Sequence, residues 1–113
     1  MSSKADPDVH VLGDAAQQGD MPKSGFAANS QAKVCAMAVR GALTGSKVFP
    51  AKFTNTCWSL IAADDGVKVG ATYEATAEKI AKVDGFISQT GEDAATRKAT
   101  YEESVGWYAG ITA

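Results

Sequence analysis

Small and apolar residues recur at steps of three and four between Ala27 and Thr44, which predicts an α-helix with one apolar face. The residues on that face are Ala28, Ala32, Cys35, Val39 and Ala42. In this pattern Gln31 lies off the face, and Gly45 is the best candidate for the residue that ends the helix. Because the residues of the face are small, we expect the helix to pack closely against its neighbours.

A second helical pattern extends from Glu92 to Thr112. Either Thr90 or Asp93 can cap its first turn, where the helix dipole also favours acidic side chains. One face of this helix is predicted to carry Ala94, Tyr101, Val105, Tyr108 and Thr112. The pattern therefore predicts a C-terminal helix that packs through this face.

Between the two helices, three short runs are typical of β-strands. They are Cys57–Ala62, Val67–Tyr73 and Ile80–Ile87. The second run alternates apolar and polar residues, as a half-buried strand does. The Asp65-Gly66 pair that precedes it is typical of a tight hairpin turn. We therefore expect a three-stranded antiparallel sheet between about Asn55 and Gln89, with the C-terminal helix against one of its faces.

The N-terminal part is predicted to contain one further strand. The run Val9–Leu12 stops at Gly13-Asp14 and indicates a buried strand, with His10 in a structural role. Gly, Asp, Pro and Ser residues between Gln17 and Gly25 indicate a loop, and residues 46–51 read as a linker. The order of elements predicts an α+β fold, with a strand–helix segment followed by the three-stranded antiparallel sheet and a C-terminal helix.

Composition excludes several classes of protein. The chain has 113 residues, enough for one domain, with a formal net charge of -2 and no basic block that could bind nucleic acid. Its longest strictly apolar run, Val34–Val39, is far shorter than the roughly 20 residues of a membrane span. Two cysteines and one histidine cannot form a zinc site without carboxylates, so we expect no metal site. Neither nucleotide-binding glycine motif is present, and the first eight residues lack the apolar run of a signal peptide.

Two polar segments before the first helix could bind a ligand. Asp14 would lie at the carboxyl edge of a strand, where an aspartate can accept hydrogen bonds from the hydroxyls of a polyol or ribose. Met21-Pro-Lys-Ser-Gly would place Lys23 beside a helix N-terminus, which attracts anions. The alternatives are a simple turn at Asp14 and an ordinary cap by Ser24 with Pro22 near the first helical position.

The two cysteines differ in their surroundings. Cys57 follows two polar residues at the start of a predicted strand, whereas Cys35 lies on the apolar helix face, where cysteine usually packs as a small hydrophobe. We therefore expect Cys57 to be the more accessible and the more reactive thiol. A Cys35–Cys57 disulfide remains open, because nothing in the sequence positions the pair. Trp107, in the last helix, fits a core residue better than one that contacts a ligand.

Four motifs in this order resemble the flavoprotein subunit of flavocytochrome c sulfide dehydrogenase, which belongs to the glutathione-reductase-like flavoproteins. The motifs are Gly13-Asp-Ala, Met21-Pro-Lys-Ser-Gly-Phe-Ala-Ala-Asn-Ser-Gln-Ala-Lys-Val, Asn55-Thr-Cys-Trp-Ser-Leu-Ile-Ala and Gly106-Trp-Tyr-Ala-Gly-Ile-Thr. The resemblance runs from about Asp8 to the C-terminus. It implies that residues 1–46 are the end of an FAD-binding domain and that residues 47–113 are the flavin-binding C-terminal domain.

The resemblance also implies a role for each candidate residue. Asp14, with Gly13 and Ala15, would hold the ribityl chain of FAD. Met21, Pro22, Lys23 and Ser24 would face the isoalloxazine ring. Cys57 would be one half of a redox-active disulfide, and Trp107 would pack near the flavin and the cytochrome.

The parent enzyme, by the same resemblance, oxidises sulfide through a disulfide and FAD and passes electrons to a c-type cytochrome in the periplasm. The dinucleotide-binding domain and the cysteine that would partner Cys57 have no counterpart in this sequence. We therefore expect a fragment that is inactive alone and that does not retain FAD on purification. Two alternatives are an inactive module that forms a homodimer and a fragment like sulfide:quinone oxidoreductase.

Overall fold

The computed structural model describes all 113 residues of the chain. The regular elements are α1 (Gly25–Thr44), β1 (Lys52–Ala62), β2 (Asp65–Ala75), β3 (Ile80–Ile87) and α2 (Ala94–Ile111), with a 3-10 turn at Gly13–Ala15. The strands form one sheet in the order β1-β2-β3. The predicted α+β fold, with an antiparallel three-stranded sheet and a C-terminal helix, is confirmed.

The chain divides into two compact units. The first consists of Met1–Asn55 and Ala71–Gly85, and the second consists of Thr56–Gly70 and Phe86–Ala113. Each strand therefore contributes residues to both units. The domain boundary expected after residue 46 stays a prediction.

The first unit contains the main hydrophobic core. Its buried members are Met21, Ala27, Phe53, Ala71, Tyr73 and Ile80. Phe53 on β1 is 2% exposed and is the largest fully buried side chain of the core. Burial of a side chain of this size contributes about 1.5–3 kcal/mol to folding, so Phe53 is one of the larger apolar contributions to the stability of this unit.

The ends of α1 follow the sequence pattern, but its buried face does not. Gly45 ends the helix in the left-handed conformation, with φ of 70°. The buried residues are Ala27, Gln31, Cys35 and Gly41, so the face predicted through Ala32, Val39 and Ala42 is wrong. Gln31 can lie inside because its side-chain amide has partners there, and Ala32, Val39 and Ala42 are exposed.

The run Val9–Leu12 is not a strand, and this prediction is also wrong. His10 forms one isolated antiparallel bridge with Ser2, and Val9 is exposed. A strand needs a continuous ladder of backbone hydrogen bonds to a neighbour. Here the partner segment offers only a short contact, in which Val11 N–H donates to the carbonyl oxygen of Met1 at 2.9 Å.

In the second unit, the turn between β1 and β2 differs from the prediction. The turn is made by Ala63 and Asp64, and Asp64 has a positive φ of 56°, whereas Gly66 already belongs to β2. Gly66 is buried, and a Cβ atom at this position would lie 3.1 Å from the backbone nitrogen of Tyr101. A residue without a Cβ atom is therefore needed here because α2 passes close to the strand, and not because of the turn.

The helix α2 packs on β1 and β2 of the same unit through a mixed face. Asp93 caps it, with a side-chain oxygen that accepts from Thr96 N–H at 2.8 Å. Thr100 is buried, whereas Val105 and Tyr108 are exposed, so the apolar face predicted through them is wrong. The face that meets the strands also uses ion pairs, namely Lys68–Glu103 and Asp65–Arg97, which a search for apolar periodicity does not detect.

Candidate functional site

Gly13 and Asp14 form the first part of the candidate site, at the 3-10 turn of the first unit. Gly13 is buried and has a positive φ of 71°, which favours glycine. Asp14 and Ala15 follow it at the surface. The ammonium group of Lys23 donates a hydrogen bond to the backbone carbonyl oxygen of Asp14 at 2.6 Å. The Asp14 segment and the segment before α1 are therefore in direct contact.

The N-terminus of α1 is the second part of the site. The hydroxyl of Ser24 accepts a hydrogen bond from Ala27 N–H at 3.0 Å and donates one to the side-chain oxygen of Asn55 at 2.6 Å. Pro22 and Lys23 are exposed just before this cap. A capped helix end with a lysine beside it carries a positive field that favours an anionic group.

The side chain of Met21 does not share this exposed position. It is buried in the core of the first unit, where its sulfur accepts from the amide nitrogen of Gln31 at 3.3 Å. The other end of the same amide accepts from Gly13 N–H at 2.8 Å. Gln31 thus links both parts of the candidate site.

Sequence reasoning missed Gln31 and Asn55, and both had a detectable signal. Gln31 stands midway in the spacing Ala27–Gln31–Cys35, which is the face that is in fact buried. Asn55 follows Phe53 at the two-residue period of a strand, and both are buried. In each case a polar residue at an apolar period indicated a buried hydrogen-bonded side chain.

The loop before Met21 is anchored to the β2–β3 connection of the same unit. Asp20 N–H donates to the carbonyl oxygen of Ile80 at 2.9 Å, and the carboxylate of Asp20 accepts from the Lys79 ammonium at 2.7 Å. The hydrogen bond from Lys79, followed by one from the backbone N–H of Lys82, lowers the pKa of Asp20 below its ordinary value of 3.8. These contacts fix the loop that leads into the candidate site.

In the second unit, Cys57 is half-buried and lines a cavity of about 490 Å³. The other lining residues are Ser59, Val67, Lys68, Val69, Ile87, Ser88, Gln89, Thr90, Gly91 and Arg97. Neither Cys57 nor Cys35 forms a disulfide bond, and Cys35 is buried on α1. The relative exposure expected for the two cysteines is confirmed.

Trp107 belongs to the same unit as Cys57. Its ring lies with its centroid 5.9 Å from that of Trp58 on β1, at an interplanar angle of 37°. The indole N–H of Trp58 donates to a carboxylate oxygen of Glu103 at 3.4 Å, and Lys68 binds the same carboxylate at 2.7 Å. Trp107 is therefore half-buried, in an aromatic pair that connects α2 to the sheet.

The first unit contains every candidate from Gly13 to Ser24, and it presents Asp14 and Lys23 at the surface, where they can contact a polyol and an anionic group. The exposed carboxylate of Asp14 can accept hydrogen bonds from ribityl hydroxyls. Lys23 and the N-terminus of α1 supply positive charge that can stabilise an anionic group. Both features are at the surface, where a cofactor can reach them.

A comparison with protein families points to a flavin as the cofactor. The family described as flavocytochrome c sulphide dehydrogenase, flavin-binding, matches residues 50–113, which include β1, β2, β3 and α2. The match covers more than half of the chain and includes Cys57 and Trp107. FAD is the cofactor of the parent flavoprotein. No helix in the structure has both the length and the apolar character needed to cross a membrane. The chain belongs to the flavin-binding family of flavocytochrome c sulphide dehydrogenase.

Proposed function

We propose that this chain is the C-terminal, FAD-contacting part of a sulfide:cytochrome c oxidoreductase. The observation that carries the proposal is that Cys57, within the matched range 50–113, lines a cavity large enough for a small ligand. A half-buried thiol in a cavity is suited to redox chemistry, whereas a thiol packed in a core is inert.

The residues of the first unit hold the cofactor in this proposal. FAD, when bound, accepts two electrons together and releases them singly. Asp14, supported by Gly13 and Ala15, binds the ribityl hydroxyls. Lys23 and the helix end capped by Ser24 would stabilise negative charge on the reduced ring, and Pro22 is exposed beside them.

Cys57 carries the sulfur chemistry and shares a disulfide with a cysteine outside this sequence. A hydrosulfide ion attacks one sulfur of the disulfide, and the S–S bond breaks. The attacked cysteine becomes a persulfide, and the other leaves as a thiolate with the electron pair of the broken bond. In this proposal the thiolate is the group from which electrons would leave the cysteine pair, with a c-type cytochrome as the final acceptor.

The charges of the cavity wall support entry of an anion. Lys68 and Arg97 line the cavity, and no carboxylate side chain does. Both cations also bind carboxylates, those of Glu103 and Asp65, which are not part of the wall. The charged side chains of the wall itself are all cations, which favours an anionic nucleophile such as hydrosulfide over a cationic ligand.

The electron acceptor in this proposal is a c-type cytochrome, and the compartment is the periplasm, where disulfides persist. The family match supports the cytochrome partner, since flavocytochrome c names one.

A second candidate role, as a module that forms a homodimer, has an observation of its own. In the first unit Met37, Leu43 and Phe49 are exposed, and exposed apolar side chains of this size favour protein contacts.

The test is whether sulfide reacts at Cys57. Cys57 is first converted to a mixed disulfide with an aromatic thiol such as thionitrobenzoate, and sulfide is then added. We expect release of the coloured thiolate and a gain of about 32 daltons on Cys57, the mass of one sulfur in a persulfide. The variants Lys68→Gln and Arg97→Gln are expected to slow the release, and Lys98→Gln is the control because Lys98 does not line the cavity. Absence of the persulfide on Cys57 would contradict the proposed chemistry.

A further inference from the structure

We propose that Gln31 is the positioning residue of the flavin site, because its side chain fixes the segment of Asp14 and the segment of Lys23 relative to each other. This inference rests on the proposed function, in which those two residues contact the cofactor. Gln31 itself is completely buried, with 0% exposure, so it does not contact a ligand from solvent.

Both ends of the Gln31 amide are used. Its oxygen accepts from the backbone N–H of Gly13 at 2.8 Å, and its nitrogen donates to the sulfur of Met21 at 3.3 Å. A buried amide that loses a partner carries the cost of an unsatisfied polar group. The side chain therefore favours only arrangements in which both segments lie beside α1.

The bond to Gly13 fixes the position of Asp14. Gly13 has a positive φ, and a Cβ atom there would lie 3.6 Å from the Cβ of Ala28, so the backbone already approaches α1 closely. Because the N–H of Gly13 is held by Gln31, the direction in which the chain continues to Asp14 is set. The Asp14 carboxylate is thereby held at a fixed position on the surface.

The bond to Met21 acts on the other segment. Met21 stands two residues before Lys23, and Lys23 donates to the carbonyl oxygen of Asp14 at 2.6 Å. The two segments joined by the exposed hydrogen bond between Lys23 and Asp14 are therefore also joined by the buried hydrogen bonds of Gln31. An exposed lysine bond alone is weak, whereas a buried polar link has few alternative partners.

An apolar residue at position 31 would fill the same space in the core, and it would have no polar atoms that need hydrogen-bond partners. Gln31 lies between Ala27 and Cys35 on the buried face, so packing alone does not require an amide. A neighbouring residue provides a matched comparison. Ser30 also bonds from α1 to another segment, with its hydroxyl accepting from Thr54 N–H on β1 at 3.1 Å, and it forms no hydrogen bond with Gly13 or Met21.

The experiment compares Gln31→Met, which keeps the length and removes the polar atoms, with Gln31→Glu, which keeps the acceptor for Gly13, and with Ser30→Ala. Amide hydrogen exchange of Gly13 and titration with FAD are measured at a temperature where circular dichroism shows each variant folded. We expect Gln31→Met to accelerate exchange at Gly13 and to weaken FAD binding, each about tenfold. Gln31→Glu is expected to restore protection of Gly13, and Ser30→Ala to leave both readouts near wild type.

Unchanged exchange and unchanged FAD affinity in Gln31→Met would overturn the inference, as would an equal loss of FAD affinity in Ser30→Ala. If Gln31→Met does not fold, Met21→Leu removes one of the two bonds and is measured instead, with a smaller loss of FAD affinity expected. A wild-type chain that binds no FAD while Gly13 exchange still responds to Gln31→Met contradicts the proposed function and supports the link made by Gln31. The two failures are therefore distinguishable.

Discussion

Trp58 on β1 and Trp107 on α2 form an aromatic pair, with ring centroids 5.9 Å apart and planes inclined at 37°. The tilted arrangement is one that aromatic rings prefer to a face-to-face stack. Glu103, four residues before Trp107 on α2, accepts from the indole N–H of Trp58. The pair therefore fixes the part of α2 that contains Trp107.

The pair should be measurable as a coupling free energy. We expect a double-mutant cycle with Trp58→Leu and Trp107→Leu to give about 0.5–1.5 kcal/mol in the free energy of unfolding, from urea denaturation. The control cycle combines Trp58→Leu with Tyr108→Leu, because Tyr108 is adjacent in sequence and 65% exposed. Equal coupling in the two cycles would mean that the ring contact contributes nothing specific.

The two cysteines should differ in their rate of alkylation. Cys57 is half-buried beside a cavity, whereas Cys35 is 8% exposed on the buried face of α1. Native iodoacetamide labelling followed by mass spectrometry should modify Cys57 well before Cys35, and in denaturant the two should react alike. Faster labelling of Cys35 in the folded chain would show that the reactive sulfur has been misplaced.

Stability should depend on pH through Asp93. Hydrogen bonds from Thr96 lower the pKa of Asp93 below its ordinary value of 3.8, because the ionised carboxylate is the better cap. The folded state therefore gains stability that is complete above the unfolded pKa and is lost as the pH falls through the lower folded pKa. Urea unfolding midpoints should fall less between pH 6 and pH 2.5 in Asp93→Asn than in the wild type. An identical fall in both would exclude this cap as a source of the pH dependence.

Two glycines with similar backbone angles should differ in their tolerance of a side chain. Gly45 has φ of 70° and open space around it, whereas a Cβ atom at Gly19, with φ of 69°, would lie 2.6 Å from the carbonyl oxygen of Ile80. We expect Gly45→Ala to cost about 1 kcal/mol for the left-handed conformation and Gly19→Ala about 1–3 kcal/mol more for the clash. Equal thermal shifts would show that the approach of Gly19 to Ile80 is not rigid.

Strand and helix positions were predictable wherever one local signal determined them. The alternation in Val67–Tyr73 and the glycine at position 45 identified β2 and the end of α1, and both are confirmed. The buried faces of both helices were predicted wrongly from apolar periodicity, because polar contacts decide them. On α1 the amide of Gln31 is satisfied inside the fold, and on α2 Arg97 binds Asp65 across the packing face.

Likewise, the sequence indicated that Asp14 and Lys23 are polar residues near a helix start. It did not show that a lysine bond joins them or that Gln31 supports that contact. Such contacts depend on how distant segments pack, which a single sequence pattern does not encode.

Titration of the chain with FAD, followed by quenching of flavin fluorescence, tests the central claim most directly. Since this chain holds the cofactor from one side, we expect saturable but weak binding, with a Kd of roughly 10–100 µM, so that FAD is lost during purification. Asp14→Asn and Lys23→Met should each weaken binding about tenfold, whereas Lys33→Met, at an exposed position on α1 outside the candidate site, should not. No saturation up to about 1 mM FAD, or equal affinity in the Asp14, Lys23 and Lys33 variants, would contradict the assignment of this surface to the flavin.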